Sequence, residues 1–155
     1  MALLTNIHTT LDTRVTELID DYIAEINLQQ GVLSEVTISI FYENTLNNTP
    51  GIAFFIETGL IPVKPQVLTV GITGEEKHEG IYQVTINTKK DIGYADAYSL
   101  GEYLSSKLRR ETLLLDTEQT KRVKIGLAYV MPGYIENELY KVPVSIEYYS
   151  YLNGD

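Results

Sequence analysis

The sequence predicts an α+β fold: a mostly antiparallel sheet with two main helices packed on one face. Apolar residues recur every three to four positions in two separate stretches, near the N-terminus and from about residue 91 to 108. Between and after these stretches the chain becomes β-branched and aromatic with two-residue alternation, broken by Gly, Pro, Asn and Asp. The order is helix, a run of strands, helix, a final pair of strands, which places both helices on one side of an antiparallel sheet. With 155 residues and no internal repeat, the chain reads as a single domain, 1–155.

In the first helix, Ile7, Leu11, Val15, Leu18, Ile19, Tyr22 and Ile26 share one face from Asn6 to Ile26. Thr5 or Asn6 is its expected N-cap and Gly31 its stop, with Asp20, Asp21 and Glu25 on the wet side. Val36 to Tyr42 is the first strand, Asn44 to Gly51 a turn, and Ile52 to Thr58 the next strand. Gly59, Pro62 and Pro65 then mark a loop whose apolar Leu60, Ile61 and Val63 need a partner. Val67 to Ile72 and His78 to Thr88 make a hairpin across the acidic turn Gly74, Glu75, Glu76, Lys77. Asp91 is the expected cap of a second helix ending near Leu108, in which Ala97 and Gly101 leave room for close packing on the sheet. Arg109 and Arg110 suit its C-terminal end. A loop through Gln119 leads to strands at Val123 to Met131 and Leu139 to Tyr149, joined by a hairpin loop, Met131 to Glu138, that exposes Tyr134 and Ile135.

The composition narrows the function. A net charge of -9 opposes general binding to phosphate backbones, which needs clustered Lys and Arg. Lys89, Lys90, Lys107, Arg109, Arg110, Lys121, Arg122 and Lys124 are scattered instead, and read as a solvated face or as ion-pair partners between subunits. There is no cysteine, so disulfides, thiolate nucleophiles and Cys-ligated zinc are excluded together. The start of the sequence does not read as a signal peptide, and no run approaches the ~20 apolar residues of a membrane span. His8 and His78 have no partner at metal-ligand spacing. The G-x-S-x-G, G-x-G-x-x-G and G-x-x-x-x-G-K-[ST] motifs are missing. Asp20 with Asp21 and Glu75 with Glu76 are adjacent acids that point apart on a helix or lie in a wet turn. No cofactor, metal or catalytic residue is expected, and the chain is not expected to be an enzyme.

Tyrosine is the composition's signal: 12 of 155 residues, with no tryptophan and a cluster at Tyr148, Tyr149 and Tyr151. On a strand Tyr148 and Tyr149 face opposite ways, so one ring of the pair is available outside the core, and such rings are enriched at interfaces.

The run Gly80-Ile81-Tyr82-Gln83-Val84-Thr85-Ile86 precedes the helix carrying Ala95, Ala97 and Leu100. The closing Val142-Pro143-Val144-Ser145-Ile146-Glu147-Tyr148-Tyr149 follows it. With the amphipathic helix Ile7 to Ile26 ahead of them, these segments resemble, in order and over essentially the full chain, the tail terminator (tail completion) family of long-tailed bacteriophages.

That resemblance implies a virion structural protein that caps the tail tube as a homohexameric ring, ends tube polymerisation and presents a head-joining surface. Its partners would be further copies of itself, the tail tube protein and a head connector or completion protein. DNA would pass through the ring without specific binding, and the acidity would weaken its attraction to the walls. The expected location is the virion tail, and the host cytoplasm during assembly. Leu60, Ile61, Val63, Tyr134 and Ile135 are the candidate subunit or tube contacts. The long Asn44 to Pro65 stretch and the tyrosine-rich end depart from the family's pattern. Two other readings stay open: another head-to-tail joining or neck protein, and a small α+β enzyme or ligand-binding domain with a pocket between helices and sheet.

Overall fold

The structure, a computed structural model, describes residues 3–30, 38–43, 54–71, 74–90, 94–115 and 121–152. Its elements are α1 (Leu3–Gln30), β1 (Ser39–Phe41), β2 (Phe54–Pro62), β3 (Gln66–Val67), β4 (Glu76–Lys89), α2 (Ala95–Leu108), β5 (Thr112–Leu114), β6 (Arg122–Val130), β7 (Tyr134–Glu136) and β8 (Leu139–Leu152). The expected α+β fold is present. The strands form one sheet in the order β1-β2-β4-β8-β6-β5, with β3 beside the start of β4 and β7 beside the start of β8. Among the described strands only β1–β2 is a parallel pair.

The central pair sets the two faces. β4 and β8 run antiparallel from Glu76 opposite Leu152 to Lys89 opposite Leu139. Opposed residues share a face. Tyr82, Val84 and Ile86 therefore point with Ile146, Val144 and Val142 to one side, where all six are buried. Ile81, Gln83 and Thr85 point with Glu147, Ser145 and Pro143 to the other. Both helices lie on the first side. The α1 stripe of Leu3, Ile7, Leu11, Val15, Leu18 and Ile19 joins the same core as Ala97, Leu100, Leu104 and Leu108 of α2. Full burial of each such side chain contributes about 1.5–3 kcal/mol. Gly101 lets α2 close onto the sheet: a Cβ there would sit 3.2 Å from a Val130 methyl.

Several boundaries differ from the sequence reading, for physical reasons. α1 begins at Leu3, so Thr5 and Asn6 fall inside its first turns rather than capping it, because buried Leu3 extends the apolar stripe one turn before Ile7. Gly59 to Pro62 is strand rather than loop. β2 keeps its register with β4 to Pro62 opposite Gly80, while β1 stops pairing at Glu57. Among the described strands the far part of β2 is thus a sheet edge, where proline is tolerated. β3 is only Gln66–Val67, and Glu76 and Lys77 of the expected acidic turn belong to β4. At the start of α2 the capping position is Tyr94, without a side-chain cap bond.

β5 and β7 have no counterpart in the sequence reading. Glu136 pairs with Leu139, leaving a two-residue turn in which Asn137 and Glu138 both have positive φ, 51° and 63°. That is the primed turn whose twist suits a hairpin. In β6, three steps from Ile125 to Ala128 match two on β8 from Tyr148 to Ile146, which is a bulge. The Gly126 carbonyl there accepts the Arg110 N–H at 3.1 Å, and the Ala128 carbonyl accepts the Arg109 guanidinium at 2.9 Å. The Arg109 side chain thus binds the sheet, while its N–H closes the helix on the Ser105 carbonyl. The expected stop at Gly31, the 44–51 turn, the strand ends at 36–37, 52–53 and 72, the Asp91 cap and the 116–120 part of the loop lie outside the described residues.

Gly80 carries the tightest requirement in the central pair. A Cβ there would lie 2.5 Å from the Ile61 carbonyl oxygen and 2.6 Å from the Tyr148 hydroxyl. Gly80→Ala should therefore lower stability by about 1–3 kcal/mol in urea denaturation, the usual cost of overpacking. Gly59→Ala, whose methyl would meet only Glu43 Oε1 at 4.0 Å, should change it by less than about 1 kcal/mol. Equal stability of the two variants would contradict this packing.

Candidate interaction surface

No described helix covers the second side of the sheet. Its floor is buried at Phe55, Asn87, Pro143 and Ser145, whereas Ile61, Tyr129, Met131 and Tyr134 are exposed along it. Phe41 and Phe55 stack at 5.1 Å between ring centres. Ser145 Oγ lies 3.1 Å from Met131 Sδ. Tyr149 and Tyr151 pack edge to face at 5.9 Å, with Lys77 over the Tyr149 ring at 5.2 Å and Lys124 over that of Tyr151 at 5.8 Å. As the alternation required, Tyr148 is buried on the helix side and Tyr149 is half-buried on this one.

Two acid–lysine pairs lie on this face, while Glu147 is exposed. Glu57 Oε1 accepts from Lys141 Nζ at 3.3 Å and from Asn87 Nδ2 at 3.0 Å. Glu79 is 3.4 Å from Lys77 and accepts from Gln66 Nε2 at 3.2 Å. Each of the two pairs is locally neutral within an acidic molecule. Asn87, with no exposed surface, keeps its Oδ1 without a partner among the described residues.

Two of the five contact candidates meet here. Ile61, on β2, and Tyr134, on β7, line one cavity of about 230 Å³ with Glu43, Glu57, Gln83, Thr85 and Lys141. Leu60 borders the same cavity, but its register partner is Tyr82, so its half-buried side chain packs toward the core, and its N–H donates to Glu43 Oε2 at 3.2 Å. Ile135 pairs with Tyr140 and so belongs to the helix side, though it is exposed. Val63 lies beyond β2, lining a separate groove with Pro62, Pro65 and the start of α1. Tyr149, the outward ring of the Tyr148–Tyr149 pair, belongs to this surface, as do Tyr129, Met131 and Lys141, which the sequence did not single out as contacts. Strand alternation places them correctly only once the β6 bulge and the β8 register are known.

A polar cluster lies on the inner side, beneath α1. The Tyr82 hydroxyl donates to Asp12, and Thr16 Oγ1 is 2.8 Å from the Tyr42 hydroxyl. His8 stands between two acids, Nε2 at 3.6 Å from Asp12 and Nδ1 at 3.5 Å from Glu43. Among the described residues no group of three or more His, Asp or Glu is arranged to hold a metal. Burial, then the neighbouring Asp12 carboxylate, pushes the Tyr82 hydroxyl well above its ordinary range. Asp20 and Asp21 are exposed, as expected for solvated acids.

No protein-family profile matches the sequence, and no curated protein is similar to it. Six solved chains match it in structure. One superposes with a TM-score of 0.57 over 87% of this chain and 94% of its own, at 14% identity. At that identity the likeness is one of fold.

Tyr148 gives a test of the inner packing. Its hydroxyl has no partner among the described residues, and burial pushes it up to about 12. An unfolded phenol titrates near 10, so stability tied to this group is full below about pH 10 and lost as pH rises toward 12. Tyr148→Phe removes a buried, unpaired hydroxyl. It should match or exceed the native stability at pH 7, by up to about 1 kcal/mol, and lose less between pH 10 and 12 in urea denaturation.

Proposed function

We propose that this chain is a virion structural subunit of a long-tailed phage tail, which caps the tail tube as a homohexameric ring, ends tube polymerisation and offers a head-joining surface. The observation that carries the reading is the helix-free sheet face, where Ile61 and Tyr134 come together beside paired charges. A face of this kind, with aromatic rings, apolar side chains and locally balanced charge, suits burial against another protein. A ring subunit needs surfaces toward its neighbours and at least one along the axis. The net charge of -9 fits a bore through which DNA slides without sticking. Another neck protein of the head–tail junction would use a similar surface, and binding to tail tubes rather than to head connectors separates the two.

Ile61→Asp and Tyr134→Asp should each leave a folded monomer, with a melting temperature within a few degrees of the parent, because both side chains are already exposed. Each should abolish the hexamer in light scattering or the capping of purified tail tubes. Normal assembly and capping by both variants would remove this face from the interface.

A further inference from the structure

One end of the sheet carries two unmatched apolar features. The first is an arm. Residues 66–70 are all exposed, and within them Val67, Leu68 and Val70 show 68%, 46% and 98% of their surface. The arm is nevertheless ordered by hydrogen bonds. Gln66 and Val67 pair with Lys77 and Glu76, the Leu68 N–H donates to the Glu75 carbonyl at 2.9 Å, and the Glu75 N–H donates to Thr69 Oγ1 at 2.6 Å. β3 pairs only with β4, so its other edge is open among the described strands.

The second feature is a groove of about 520 Å³ between the first turn of α1 and the β2–β3 junction, lined by Leu3, Leu4, Pro62, Val63 and Pro65, with Lys64, His78 and Glu79 at its borders. A cavity of roughly 150 Å³ already accepts a benzene, so this one has room for several aliphatic side chains. The arm cannot fill its own groove. Pro65 is part of the groove wall, and from Gln66 the chain follows β4 away from the Pro62–Gly80 pair. The charges also match: Lys64 at the groove and Glu75 at the arm have no ion pair among the described residues, and they are of opposite sign.

We propose that copies of this chain join head to tail, with Val67, Leu68 and Val70 of one copy seated in the Leu3–Leu4–Pro62–Val63–Pro65 groove of the next. The inference names the neighbour-to-neighbour contact of the ring and rests on that reading. Each copy offers its arm to one neighbour and its groove to another, a heterologous contact that propagates until rotation closes it into a ring. The helix-free face then remains available for the axial partner.

The absence of cysteine makes the test direct. Val70→Cys and Leu4→Cys are made separately in the full chain, one with a mass tag, and mixed under mild oxidation. Both replace exposed side chains, and an unchanged melting temperature confirms folding. The expected result is a predominance of mixed disulfides, joining a Val70→Cys chain to a Leu4→Cys chain, over either like pair. A chain carrying both substitutions should cross-link into one closed species larger than a dimer; a closed dimer would mean reciprocal arm exchange and overturn the head-to-tail contact. A predominance of like pairs, or no mixed product, overturns the contact. If light scattering still finds a hexamer in that case, the ring reading survives without this interface. If the mixed disulfide forms but the ring does not cap tail tubes, the contact stands and the tail reading falls.

Discussion

The pairing of β4 with β8 is the constraint on which the rest depends. Both strands are 14 residues long, and they match along their full length without a slip. Because side chains alternate, that single register assigns every residue of the two central strands to the helix side or to the helix-free side. A one-residue shift would carry Tyr82, Val84 and Ile86 out of the core and put Gln83 and Thr85 in. Gly80 fixes the register sterically, since only there is the Tyr148 ring able to cross the neighbouring strand.

From this register follows the division of labour between the two faces. The helix side holds the aliphatic core together with a small polar group, Tyr82 on Asp12, that ties α1 to the middle of the sheet. Arg14, two residues further along α1, adds a second tie, meeting Glu111 just before β5 at 2.6 Å and 3.2 Å through two of its nitrogens. The guanidinium is held above its ordinary range by that bond. No described helix covers the second side. On it Phe41 packs against Phe55 and Tyr149 against Tyr151, with the Lys77 and Lys124 ammonium groups over the two tyrosine rings.

Much of the fold was legible because its long elements have strong periodicity. The α1 stripe, the alternation through His78 to Thr88 and the small residues of α2 all follow from spacing alone. What escaped depends on pairing. Gly59 and Pro62 look like breakers in one dimension, and only the neighbouring β4 shows that they lie along an edge. The Asn137–Glu138 turn lacks the usual glycine, so β7 was hidden inside an apparent loop. The candidate site was half legible for the same reason. Ile61 and Tyr134, far apart in the chain, stand out as exposed apolar residues and share one cavity, whereas Leu60 and Ile135 are turned to the opposite side by a single step of the strand.

The central pair has a kinetic consequence as well. The partners in β4 and β8 are separated by α2, β5, β6 and β7, so this contact closes a long loop of chain. Domains dominated by such distant pairings fold in about milliseconds to seconds rather than microseconds. During synthesis β4 emerges with β2 already available on one side and its β8 neighbour still to be made. The newborn chain therefore carries β4 with one backbone edge unzipped until the last long strand arrives, while α1, already made, is able to cover Tyr82, Val84 and Ile86 on the inner face.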